Sequence, residues 1–241
     1  MDLREFVIYI IPIIVLELVA AISGSYYLRK TELPLKNSKY LVWFLWFTVF
    51  VEFIGAYAPV AYYSDYRFFS FIKDTRYVDN SWWYSIFTIV NFVFFTFYFS
   101  LYVRDRRIRR IFSWMTGGYV LSSLVYYSIP GNLFGNPINY TNVIGALLLM
   151  SSILVFYYQL LRSELILKLR YFLPFYISIG VLVFNLTVTP IEQLSGFLTT
   201  EEGNELFVVL HINVFRFANL ILYISFIIGF LICSKRKQFL Y

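Results

Sequence analysis

Residues 206–241, LFVVLHINVFRFANLILYISFIIGFLICSKRKQFLY, decide the fold. The run is apolar over a length that crosses a bilayer, for which about 20 residues suffice, and it stops at Lys235, Arg236 and Lys237. Such a run reads as a membrane-spanning helix with its C-terminal end in the cytoplasm. It also carries His211, Asn213, Arg216 and Asn219. An arginine at the centre of a spanning helix costs roughly 2.5–3.5 kcal/mol on insertion scales, so it needs a partner, a cavity or the interface.

The rest of the chain repeats this pattern. Its 241 residues are 60% hydrophobic, 22% aromatic and only 14% charged, the composition of a polytopic membrane protein. Apolar stretches predict helices at 6–28, 40–62, 83–103, 111–129, 143–161, 171–189 and 200–233. The expected fold is an all-α integral membrane protein, a single domain of seven transmembrane helices over 1–241. The first stretch runs past signal-peptide length without a small-x-small cleavage site, so it reads as a retained helix.

Charge sets the orientation. Of the 20 Lys and Arg, fifteen fall after the first, third and fifth helices and in the tail, four fall on the other side, and the last is Arg216. The N-terminus is expected outside and the C-terminus in the cytoplasm, in a multi-pass protein of the cytoplasmic (inner) membrane. Tyr and Trp support this at both boundaries, as with Tyr26, Trp43, Tyr157 and Tyr158 inside and Tyr62, Trp82 and Trp83 outside.

The densest charge run, RDRRIRR from Arg104 to Arg110, stands where topology demands basic residues, and it attracts anionic lipid at the cytoplasmic face. It is not read as a nucleic-acid patch. TTEEGNEL, with Thr199 three residues before Glu202, has capping-box spacing and reads as a helix start. RFFSFIKD, residues 67–74, reads as a short amphipathic piece on the outer surface.

Catalysis fits poorly. One histidine and one cysteine, Cys233, fall short of a His-rich zinc site on facing helices. No Gly-x-Ser-x-Gly or HExxH motif is present. Glu201 and Glu202 resemble the paired acids of membrane prenyl-protein peptidases, but the further His and Arg of that pattern are missing. The last helix has no lysine within the membrane for retinal. No enzyme activity, catalytic residue, metal or cofactor is expected.

Chemistry is expected instead at the buried polar groups. ELVAAISG from Glu17 and EFIGAYAP from Glu52 each place small residues at i+3 and i+4 and a Gly or Pro at i+7. Both glutamates therefore lie on a small-residue face that admits a neighbouring helix, not lipid. Counted from the basic boundaries at about 1.5 Å per residue, Glu17, Glu52 and Asn91 come near the midplane. Arg216 comes into the outer third, leaning outward, with Glu17 as its candidate partner. Asn213, Arg216, Asn219 and Tyr223 follow helical spacing on one face, and His211 points elsewhere.

The seven-span, N-out layout with a short tail resembles the membrane input modules of bacterial signalling proteins, such as the seven-helix diverse intracellular signalling receptors. The resemblance is architectural and carries no motif. It implies a small receptor or signalling subunit whose outward-facing pocket is lined by Glu17, Asn185, Asn213 and Arg216, and which passes its signal to a separate protein partner at the cytoplasmic face. The first alternative is a proton or small-solute channel or transporter using Glu17, Glu52 and Asn91. The second is a ligand-free membrane scaffold.

Overall fold

The computed structural model describes residues 3–31, 37–129, 131–134, 140–195 and 205–235. No strand occurs among them. Eight α-helices follow in order: α1 Leu3–Lys30, α2 Ser38–Gly55, α3 Tyr57–Tyr63, α4 Ser81–Ser100, α5 Arg106–Ser128, α6 Tyr140–Leu161, α7 Leu173–Ser195 and α8 Glu205–Ser234. Six helical runs are long and apolar enough to cross a membrane: Phe6–Lys30, Ser38–Tyr63 (α2 and α3 together), Ser81–Ser100, Tyr140–Leu161, Leu173–Leu194 and Phe207–Ser234. The chain is a multi-pass helical membrane protein.

Those six runs close into a ring. α1 packs on α2 and α8, α8 on α7, α7 on α6, α6 on α4, and α4 on α2. α5 lies outside the ring against α4 and α6. α1 and α8 run parallel, since Tyr9 lies within electrostatic reach of Arg216 at one end and Tyr27 packs on Phe230 at the other. α4 and α6 are also parallel, with Phe92 beside Gly145 and Phe99 against Phe156.

The centre of the ring is aromatic. Phe44 stacks on Phe94 with ring centroids 3.8 Å apart, and Phe95 reaches Phe226 across the ring. Between helices in a membrane, association rests on such dispersion contacts and on close approach at small residues. Gly180 shows the second device: a Cβ there would collide with the Ser225 side chain, so glycine lets α7 and α8 meet. Polar links are few. The Ser178 hydroxyl donates to the Tyr157 hydroxyl at 2.9 Å across α7 and α6.

Several boundaries differ from the sequence expectations. The expected single span 40–62 is interrupted at Ala56, between α2 and α3. The RDRRIRR run is partly helical, because the Asp105 carboxylate accepts the Arg107 backbone N–H at 2.7 Å and caps the start of α5. α5 covers the expected fourth span but fails the apolar criterion the other six meet. Its first turn is Arg106, Arg107, Arg109 and Arg110, and its body holds Ser, Thr and Gly. α7 continues through Pro190 to Ser195 and does not stop before the proline. The 162–171 connection winds into a 3-10 helix, Glu164–Tyr171, and the expected outer amphipathic piece contains the 3-10 turn Ser70–Ile72. The Thr199–Glu202 capping box and Glu201 lie outside the described residues.

Candidate functional site

Glu17 sits on α1 with Ala20, Ala21 and Gly24 on the same side, all of them buried. The small side chains bring neighbouring helices against the glutamate, which is only 1% exposed. Its Oε1 has no hydrogen-bond partner. Glu52 approaches from α2, and its Oε2 accepts the Tyr84 hydroxyl of α4 at 2.7 Å. Tyr223 of α8 is buried beside them. The four groups lie within electrostatic reach of one another. Four helices thus converge on two carboxylates and two phenols.

One turn beyond Glu52, α2 passes into α3 at Ala56, where the backbone stays helical and the Ala56 N–H still bonds the Glu52 carbonyl, but one helical hydrogen bond is lost for a reason legible in the residues. Pro59 has no N–H to give the Gly55 carbonyl four residues earlier. The Asn80 amide donates to that carbonyl instead, at 2.8 Å. The Trp83 indole N–H donates to the Val51 carbonyl at 3.0 Å. A Cβ on Gly55 would stand 2.6 Å from the Tyr84 hydroxyl, so only glycine leaves room for the tyrosine that holds Glu52. Asn80, Trp83 and Tyr84 therefore form one supporting edge for the join. Beside it a groove of about 390 Å³ is lined by Ala58 and Pro59 together with Phe6, Tyr62 and Asp79.

No known family, curated protein or solved structure matches this chain. The chemistry of the site must speak for itself. Two ionised carboxylates this close in an apolar interior would each carry a desolvation penalty of several kcal/mol and would repel one another. A proton or another cation shared between them removes both costs. Among the described residues no group of three or more His, Cys, Asp or Glu stands together.

The sequence-derived candidates divide. Glu17 and Glu52 come together. Arg216 does not reach Glu17: the register of α1 against α8 puts Glu17 level with Tyr223, and Arg216 lies seven residues nearer the start of α8, roughly 10 Å along the axis, beside Tyr9. Asn213 is exposed on the outer surface of α8. Asn185 is buried, but its amide donates to the Val181 carbonyl of its own helix at 2.8 Å. Asn219 does the same to Phe215 at 2.9 Å. Asn91 is half-buried, two turns inward of Tyr84 on the same face of α4. His211 packs between the Phe207 and Phe215 rings. The four residues expected to line one outer pocket do not converge.

Sequence reasoning missed Tyr84, Asn80 and Trp83. Asn80, Trp83 and Tyr84 sit in the run NSWWY, which reads as an interfacial belt, and only the pairing of α4 with α2 reveals their role.

Proposed function

We propose that this chain is a seven-helix protein of the cytoplasmic membrane, N-terminus outside, that moves protons, alone or with a small solute, by protonation and deprotonation of the Glu17–Glu52 pair. The observation that carries this reading is the Oε1 of Glu17, buried and unpartnered, set against Glu52 one turn before the α2–α3 join. Buried acids inside a helical bundle mark proton and ion paths.

The seventh span is α5. Its 23 residues reach about 34 Å, enough for a hydrocarbon core of about 30 Å. Contacts at both ends favour a full crossing. The Arg104 N–H just before α5 donates to Gln159 near the end of α6 at 2.6 Å. After α5, the Leu133 carbonyl accepts from Ser85 near the start of α4, and Phe134 packs on Tyr77. With α5 crossing, the basic residues after α1, α4 and α6 share one end of the bundle with Lys235, which favours that end as cytoplasmic.

The receptor reading receives less support, because Asn213 and Arg216 stand away from Glu17. The test is proton flux into proteoliposomes under an imposed pH gradient. Glu17→Gln, which keeps the shape and removes the titrating group, lowers flux at least about tenfold, the scale of a lost proton-transfer group. Unchanged flux overturns the proposal.

A further inference from the structure

We propose that the groove between α5 and α6 holds an acyl chain of one anionic phospholipid, whose phosphate is bound by Arg107 and Arg162 at the end where α5 begins and α6 ends. The groove has a volume of about 310 Å³, and its walls include Met115, Gly118 and Ser122 of α5 and Ile144, Leu147 and Ser151 of α6. The α6 wall belongs to the apolar run Tyr140–Leu161, on which Leu147 is exposed, so the groove opens onto lipid. Its two serines have no hydroxyl proton to offer. Ser122 donates to the Tyr119 carbonyl at 2.9 Å and Ser151 to the Leu147 carbonyl at 2.7 Å, which leaves a surface suited to hydrocarbon. A Cβ on Gly118 would meet nothing within 4 Å. Glycine here serves no contact inside the chain and keeps the groove open.

Helical spacing carries this face to a basic end. Ile111 and Arg107 stand seven and eleven residues before Gly118, and Tyr158 and Arg162 seven and eleven after Ser151, close to two and three whole turns in each helix. All four are exposed. The helices run antiparallel, with the Arg104 N–H donating to the Gln159 side chain at 2.6 Å at one end and Tyr127 bonded to Thr141 at 2.9 Å at the other. Arg107 therefore comes level with Tyr158. The Arg162 guanidinium lies over the Tyr158 ring at 4.5 Å, turned back toward that same level. Three turns are about 16 Å, the depth of one leaflet in a hydrocarbon core of about 30 Å. A lipid whose phosphate sits between the two arginines thus ends its chain in the groove. Guanidinium pairs with phosphate through parallel charge-assisted hydrogen bonds, and basic pockets between membrane helices take anionic headgroups. The carboxylates nearby are Asp105, engaged as the cap of α5, and Glu164, against the five arginines of 104–110 and Arg162. A second copy of the chain docked by this face would set those arginines against their own copies, because a two-fold contact is self-complementary. An anionic lipid answers the charge.

The site is independent of the proton-transport reading, and binding tests it. Native mass spectrometry of the intact protein in detergent, titrated with phosphatidylglycerol or phosphatidylcholine of identical acyl chains, reads the affinity for each. The wild type binds one phosphatidylglycerol at least about tenfold more tightly than phosphatidylcholine. The double variant Arg107→Gln, Arg162→Gln loses that preference. Arg106→Gln with Arg109→Gln removes equal charge from the other side of α5 and keeps it. Gly118→Leu fills the groove with a better helix former and without a collision at Cβ, so the protein folds to an unchanged melting temperature. It weakens phosphatidylglycerol binding at least about tenfold, because several methylenes lose their seat. Equal affinity of the wild type for the two lipids, an equal loss in both double variants, or binding untouched by Gly118→Leu overturns the site. A lipid-free dimer that Gly118→Leu splits gives the face to a second copy and overturns it as well.

Discussion

The two halves of this bundle are built by different rules. In the half that holds the acid pair, α2 joins α3 at Ala56, and side chains of Asn80 and the start of α4 donate to it: Asn80 to the Gly55 carbonyl, Trp83 to the Val51 carbonyl, Tyr84 to the Glu52 carboxylate. In the other half the helices are continuous and meet through rings, with Tyr27 on Phe230, Phe95 on Phe226 and Phe99 on Phe156. The difference teaches where polar groups are tolerated inside a membrane protein. Among the described residues, buried acids stand where a neighbouring segment brings a donor: Tyr84 for Glu52, and Asn142 of α6 for Glu192 of α7. The aromatic half holds the bundle rigid around them.

The comparison breaks most severely if the aromatic half is not the stabilising one. Phe230 is fully buried between Tyr27 and Gly24, so Phe230→Ala lowers stability by about 3–5 kcal/mol, the usual cost of emptying such a site, read as a fall in the detergent unfolding midpoint. Next comes the half with the acid pair. Asn80→Leu leaves the Gly55 carbonyl without a donor and costs about 1–3 kcal/mol; hydrogen exchange rises selectively over 52–60. The smallest effect is expected for a polar link between continuous helices. Ser178→Ala removes the bond to Tyr157 and costs about 0.6 kcal/mol, the average for interhelical hydrogen bonds in membranes.

Much of the architecture is legible in the residues. Basic clusters mark one set of helix ends, so the positions of six apolar runs follow from composition alone. α5 is harder, because its Arg, Ser, Thr and Gly dilute the apolar signal and only packing against α4 and α6 shows its course. Of the site, the small-residue faces carried by Glu17 and Glu52 are readable from helical spacing, and so is their common depth. The join at Ala56 is half-readable. Pro59 signals a lost hydrogen bond, but nothing local says that Asn80, 25 residues away from Gly55, restores it. The pairing of Arg216 with Glu17 fails for a reason present in the counting itself. Their depths from the two basic boundaries differ by six residues, about 9 Å, which an outward lean shared by both side chains does not close.

The groove beside Pro59 and the unpartnered oxygen of Glu17 support one proposal: that the acid pair takes up and releases a proton in the course of function. Proton flux in proteoliposomes containing wild-type or Glu17→Gln protein, driven by a pH gradient with the membrane potential clamped, measures it most directly. The account predicts flux in the wild type and a fall of at least about tenfold in the variant, with the variant folded to the same melting temperature or a higher one, because a costly buried carboxyl has been removed. Equal flux from both proteins, or none from either, contradicts it.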